Sequence, residues 1–142
     1  MLIEQEPVYL VLNYQDSIRS GIADYHGSPH YFAEHFDQAR DDYTGIFSLS
    51  PVDQSIVEVA NEANTIELRF WTAYYAGERA MPDELPIVLA EDRDRYVFLQ
   101  GLLDQVERTS TSSGIQASAR FASKPSPGSA LNQVAVTWLA AD

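Results

Sequence analysis

The chain reads as an α+β domain in which an antiparallel sheet, built from about four N-terminal and two C-terminal strands, packs against two amphipathic helices. Two observations predict this. Apolar residues follow strand-like patterns across residues 7–49 and again across 115–138, but recur at the three-and-four spacing of helices between 53 and 108. The two kinds of segment are segregated rather than alternating, which favours antiparallel sheet over a doubly wound parallel one. No internal repeat and no long linker divides the sequence, so residues 1–142 are expected to form a single globular domain.

Residues 7–14, Pro-Val-Tyr-Leu-Val-Leu-Asn-Tyr, are almost continuously apolar over the length of one strand, the pattern of a strand covered on both faces. Two further strand-like runs, 20–25 and 30–36, flank His26-Gly27-Ser28-Pro29 and read as a hairpin, with the glycine and proline supplying the turn. Residues 43–49 form a fourth strand after the polar loop 37–42. From Asp53, a candidate N-cap, the positions Ile56, Val59, Ala60, Ala63, Ile66, Phe70, Ala73 and Tyr74 define one helical face, and Gly77 follows as a terminator. After a connector around Pro82 and Pro86, a second helix is expected over 90–108. Glu91 and Asp92 favour its positive N-terminal end, and Tyr96, Leu99, Leu102, Leu103 and Val106 form its buried stripe. A Ser/Thr-rich break at 109–113 leads to a strand over 115–121, a loop over 124–130 and a closing strand over 134–138 that pairs antiparallel with the one before.

Hydrophobic residues make up 45% of the chain and aromatics 11%, too much apolar material for a disordered polymer. With no cysteine, disulfide scaffolds, thiol nucleophiles and thiolate zinc sites are excluded. The first six residues carry two acids and no basic n-region, and no apolar run reaches membrane-spanning length. A cytoplasmic protein that does not enter the membrane is therefore expected. Nine Lys and Arg against 21 Asp and Glu give a net charge of −12, a surface that repels phosphate backbones and anionic lipid. Direct nucleic-acid binding is disfavoured, whereas a basic protein partner suits the charge.

The three histidines, His26, His30 and His35, all fall within one segment together with Asp24, Tyr25, Tyr31 and Asp37. A metal site does not follow from this density. His26 and His30 have helical spacing, but Gly27 and Pro29 between them forbid a helix, and His30 and His35, five apart on one strand, point to opposite faces. If His26-Gly27 is a two-residue turn, Tyr25 faces Ser28, Ala23 faces His30, and His26 sits at the tip. His35 and Asp37 share a strand face and form a candidate acid/base pair, with an ordinary ion pair as the commoner alternative. No serine lies in a nucleophile-elbow context, and no phosphate loop, dinucleotide fingerprint or calcium loop is present, so no cofactor is expected. On the first helix, Trp71 and Tyr75 lie about a hundred degrees off the core stripe, either widening the buried face or forming an exposed patch.

The stretch from Asn13 through Gly21-Ile-Ala-Asp-Tyr-His-Gly-Ser-Pro-His-Tyr-Phe32, continuing through Phe36-Asp37, Asp42-Tyr43 and Phe47-Ser-Leu-Ser-Pro51, resembles a group of small bacterial proteins without assigned function. In that group a Gly-Ile-Ala-Asp-Tyr-x-Gly-x-Pro-His-Tyr-Phe hairpin precedes an aromatic-rich helix ending in glycine. The resemblance covers roughly the first half of the chain and, more weakly, the second helix, and it implies a bacterial domain but no activity. This chain departs from the group at Asn64 and Glu67, where tryptophans are usual.

Two functions are expected from these residues. The first is a non-enzymatic interaction or regulatory module whose binding surface includes Tyr25, His26, His30 and Tyr31 of the hairpin together with Trp71 and Tyr75. The alternative is a small hydrolase, metal-dependent or acid/base, using the His26–Asp37 segment, with His30, His35, Asp24 and Asp37 as candidate catalytic groups. A lesser form of the first reading presents Asp37, Asp41 and Asp42 as a phosphate-like array to a nucleic-acid-binding protein. Oligomeric state is not legible in the sequence.

Overall fold

The computed structural model describes residues 5–110, 114–122 and 134–140. Four strands come first: β1 (Glu6–Tyr14), β2 (Ile18–Tyr25), β3 (Ser28–Asp37) and β4 (Asp42–Pro51). Two helices follow, α1 (Gln54–Tyr75) and α2 (Arg93–Thr109), the second introduced by one 3-10 turn at Ala90–Asp92. Strands β5 (Ile115–Phe121) and β6 (Ala135–Ala140) complete the order. The loop expected over 124–130 lies outside the described residues.

The sheet is closed, which corrects the open sheet packed against helices that the sequence predicts. Every neighbour in the order β1-β2-β3-β4-β5-β6 pairs antiparallel, and the first strand meets the last through Glu6↔Val136 and Pro7↔Ala135. Alternation along a strand records which side chains share a face, but not which strand edges meet. The right-handed twist of a six-stranded sheet coils it until its two edges can pair, and pairing removes both exposed edges. The helices are an insertion between β4 and β5, lying against the outside of the barrel.

Closure produces two cores. Val8, Ala23, Phe32, Phe47, Leu49, Ala117 and Val136 point into the barrel, joined by Phe121 and Trp138. The aromatic rings interlock edge to face, with Phe32 centred 5.8 Å from Phe47 and 5.5 Å from Trp138. Alternate residues of the same strands, Leu10, Ile22 and Tyr31, face outward and pack under Ala60, Ala63 and Ile66 of α1 and Tyr96, Leu99 and Leu103 of α2. The continuous apolar run in β1 is thereby explained, since Val8 and Val11 serve the lumen while Leu10 and Leu12 serve the helix layer. Gly21 permits the tightest approach in the barrel: a Cβ there would strike the Leu10 carbonyl oxygen and come within 2.9 Å of Phe32 Cζ.

Local signals hold where turn chemistry is specific. His26 and Gly27 both have positive φ, 52° and 79°, the requirement of a two-residue hairpin turn, and the register is Tyr25↔Ser28 and Ala23↔His30. Asp53 occupies the N-cap of α1, although its side chain makes no capping hydrogen bond. At the other end Gly77 N–H donates to Tyr74 O and Glu78 N–H to Ala73 O, the pair of bonds that closes a helix through a left-handed glycine. Among the described residues no helix is long and apolar enough to cross a membrane.

Candidate functional site

The histidine-rich hairpin is positioned by β2 and β3, and the barrel disperses its side chains. His26 stands at the exposed turn, where the Glu6 carboxylate accepts hydrogen bonds from the backbone N–H groups of His26 and Gly27 at 3.1 and 2.7 Å. His30 faces the lumen, only 5% exposed, with Nδ1 2.8 Å from Ser28 O and its ring 5.4 Å from that of Tyr25. His35 faces outward, where Nε2 lies 2.6 Å from Ser48 Oγ. Tyr25 packs against the lumen cluster, and Tyr31 is buried beneath α2 with its hydroxyl 3.4 Å from Glu107 Oε1. Burial and the neighbouring Glu107 carboxylate push the Tyr31 phenol up to about 12, so it is protonated at every physiological pH.

The carboxylates are dispersed as well. Asp24 lies beside the Tyr9 phenol, whose pKa is raised first by burial and then by that carboxylate, and Asp24 O accepts the Trp138 indole N–H at 2.8 Å. Asp37 Oδ1 instead accepts from Ala39 N–H at 3.0 Å and shapes the turn before β4. Asp24 pairs with Pro29, eight residues up the strand from Asp37, so the two carboxylates are separated by about 25 Å of extended chain. His35 and Asp37 each bind a different neighbour, and among the described residues no three His, Asp or Glu side chains cluster to hold a metal ion. Of the acidic array, Asp37 and Asp42 both spend an oxygen on backbone N–H groups in the 37–43 turn.

Inside the opposite end of the barrel lies a group that the sequence pattern did not single out. Glu34 follows Phe32 on the inward face of β3, and its side chain is 5% exposed. Its Oε1 accepts from Arg19 Nη1 at 2.6 Å and its Oε2 from Gly45 N–H at 2.8 Å. Arg19 in turn donates from Nε to Gln15 O and stacks 4.0 Å from the centroid of the Tyr43 ring. Both charges are partnered by charge and by hydrogen bonds, so the pair closes the lumen rather than offering a reactive carboxylate. The inward phase of Arg19 and Glu34 along β2 and β3 is the signal that locates them once the strands are assigned.

The helical insertion presents the contrasting surface. Phe70 is buried, Trp71 and Tyr74 are half-buried, and Tyr75 is 63% exposed. The rings form a ladder one helical turn apart, Phe70 stacking on Tyr74 and Trp71 on Tyr75, each at 5.9 Å. Beyond the helix, Met81 and Leu85 are exposed, and on the solvent side of α2 so are Val97 and Phe98. Gly101, one turn beyond Val97, adds no side chain and has open space before it. The insertion is fastened by two exposed ion pairs, Arg79–Glu91 at 2.9 Å and Arg95–Glu62 at 2.6 Å, and by Arg69–Asp92 at 3.3 Å, whose carboxylate is largely buried.

Between the helices, Glu67 of α1 lies against the Tyr96 phenol of α2. Burial raises its carboxyl to about 7, the Tyr96 hydroxyl opposing that shift only in part. Asn64, one turn earlier, is also buried. Asn64 and Glu67 therefore both lie on the covered side of α1. Compared with protein-family models, curated proteins and solved structures, the chain matches none of them.

Proposed function

We propose that the protein is a non-enzymatic interaction module, working in the cytoplasm, that engages a protein partner through its helical insertion. One observation carries this reading: of the seven large apolar side chains exposed among the described residues, five, Tyr75, Met81, Leu85, Val97 and Phe98, fall between residues 75 and 98, and only Tyr14 and Phe36 lie on the barrel. Exposed apolar side chains concentrated in one region mark surfaces that are covered in use. Tyrosine, tryptophan and phenylalanine supply contact area at low entropic cost, and the Trp71–Tyr75 stack arranges two of them in advance. The hairpin contributes less than its composition promises, because His30 and Tyr31 are buried, Tyr25 is half-buried, and the exposed His26 ring at the tip packs edge to face on Tyr25. The cysteine-free, acidic chain is compatible with a reducing compartment and unsuited to phosphate backbones.

The test is affinity capture from the source cell's own extract with three immobilised proteins: the wild type, the triple variant Tyr75→Ser, Leu85→Ser, Phe98→Ser, and Phe36→Ser at the far end of the barrel. A protein retained by the wild type and by Phe36→Ser, and lost from the triple variant, is the expected result. Equal recovery on all three would remove the helical insertion as the binding surface.

A further inference from the structure

The solvent side of α2 is complementary to a second copy of itself. Asp94, Val97, Phe98, Gly101, Asp104 and Arg108 recur at three- and four-residue spacing along one stripe, and all of them are exposed. Val97 and Phe98 make the stripe apolar near its middle, and Gly101, one turn on, opens onto free space. Asp94, Asp104 and Arg108 make no ion pair among the described residues. Although the whole chain carries −12, α2 holds three arginines and three carboxylates and is neutral. Its charge is also polarised, since Arg93, Asp94 and Arg95 leave the first turn at +1, while Asp104, Glu107 and Arg108 leave the other end at −1. A copy laid antiparallel sets each end against its opposite, whereas a parallel copy sets like against like.

The spacing within the stripe fixes the register. Gly101 stands seven residues from Asp94 and seven from Arg108, so a two-fold axis through Gly101 brings Asp94 of each copy beside Arg108 of the other, at both ends of about 21 Å of helix. The missing side chain at Gly101 lets the two backbones approach where they cross. Phe98 then faces Asp104 of the other copy, and Arg95, whose guanidinium lies 5.3 Å over the Phe98 ring, offers that carboxylate a cation. We propose that the protein forms an antiparallel two-fold dimer across α2, with Gly101 at the axis and Asp94 paired to Arg108 of the second copy, an inference that rests on the insertion being a binding surface. Repulsion between the two acidic bodies is screened beyond about 8 Å in physiological salt, whereas the two α2 stripes are in contact. A single helix face is smaller than a permanent interface, so the dimer is a weak one, with a dissociation constant on the order of 100 µM.

The experiment is sedimentation equilibrium of the full chain in physiological salt, spanning that constant tenfold on either side. The wild type is expected to pass from monomer to dimer across the range. Asp94→Arg and Arg108→Asp should each weaken self-association roughly tenfold, because either change turns both attractive contacts repulsive. An equimolar mixture of these two variants should dimerise like the wild type, since every contact between them again joins opposite charges. Gly101→Glu should abolish the dimer by placing two carboxylates at the axis, and misfolding would not explain the loss, because glutamate favours an exposed helix over glycine. Undiminished association of Gly101→Glu, or a mixture no stronger than its components, would overturn the proposal. A wild type that stays monomeric throughout would overturn it as well. In that event a protein still captured from extract by the wild type and lost from the triple variant would leave the insertion as a binding surface, and equal recovery would remove both.

Discussion

The barrel and its helical insertion solve opposite problems with the same kinds of residue. Within the lumen, Phe32, Phe47, Phe121 and Trp138 lock edge to face, and the charges present there, Arg19 and Glu34, are partnered at both ends. On the insertion, Tyr75, Leu85 and Phe98 are left 63%, 76% and 56% exposed, and the arginines meet carboxylates in open solvent, where such pairs contribute little. An aromatic residue closed in on all sides stabilises the fold, whereas one held out on a braced helix is available to a partner. Under the proposed function, this difference gives stability to the barrel and recognition to the insertion.

The largest effect expected from this contrast is in the lumen. Phe32→Ala should cost about 4 kcal/mol of unfolding free energy, because the ring is fully buried among aromatics that cannot collapse into the gap. Urea denaturation would measure it, and a loss below about 1 kcal/mol would mean that the lumen is far looser than its ring contacts indicate.

An intermediate effect belongs to the seam between the helices. Glu67 titrates near 7 in the folded chain and at its ordinary value of 4.5 when unfolded, so the fold prefers its protonated form. Stability is therefore greatest below pH 4.5 as far as this group is concerned, falls as pH rises through the window from 4.5 to about 7, and stays lower above it. Allowing for its partial exposure, Glu67→Gln should raise stability by up to about 2 kcal/mol at pH 8 and change little at pH 4.5. Denaturation midpoints of both proteins at the two pH values would show whether the gain appears only on the alkaline side.

The smallest effect is the one that sharpens the comparison most. Tyr75→Ser together with Phe98→Ser should leave the thermal midpoint nearly unchanged, within about 1 kcal/mol for the pair, because neither ring is enclosed. A loss comparable to that of Phe32→Ala would show that these rings hold the insertion together, and the division between stability and recognition would fail.

Much of this architecture is legible in the residues. The strand over Ile115–Phe121 and the antiparallel closing pair follow from period-two alternation, and the α1 terminus follows from Gly77. The hairpin register follows from His26-Gly27 alone, since two residues able to adopt positive φ fix which partners face each other. The candidate surface is half legible. Trp71 and Tyr75 stand off the core stripe of α1 in a helical projection, and Val97 and Phe98, not singled out in the sequence, stand off that of α2, but Leu85 in the connector gives no local sign of exposure, because an apolar residue there looks the same in sequence whether or not a neighbour covers it. Glu67 and Glu34 escape for the same reason in reverse, since a carboxylate is expected outside until its face is known.

By itself, the sequence determined the strands, the helices, the turns that join them and the acidic charge, all of which depend on near neighbours along the chain. Only the tertiary structure decided that Glu6 meets Val136 and closes the sheet, that His30 is the strand histidine that turns into the lumen, and that the insertion leaves Tyr75 and Phe98 uncovered. Those outcomes depend on accumulated strand twist and on contacts between distant segments, and no local pattern of residues carries that information.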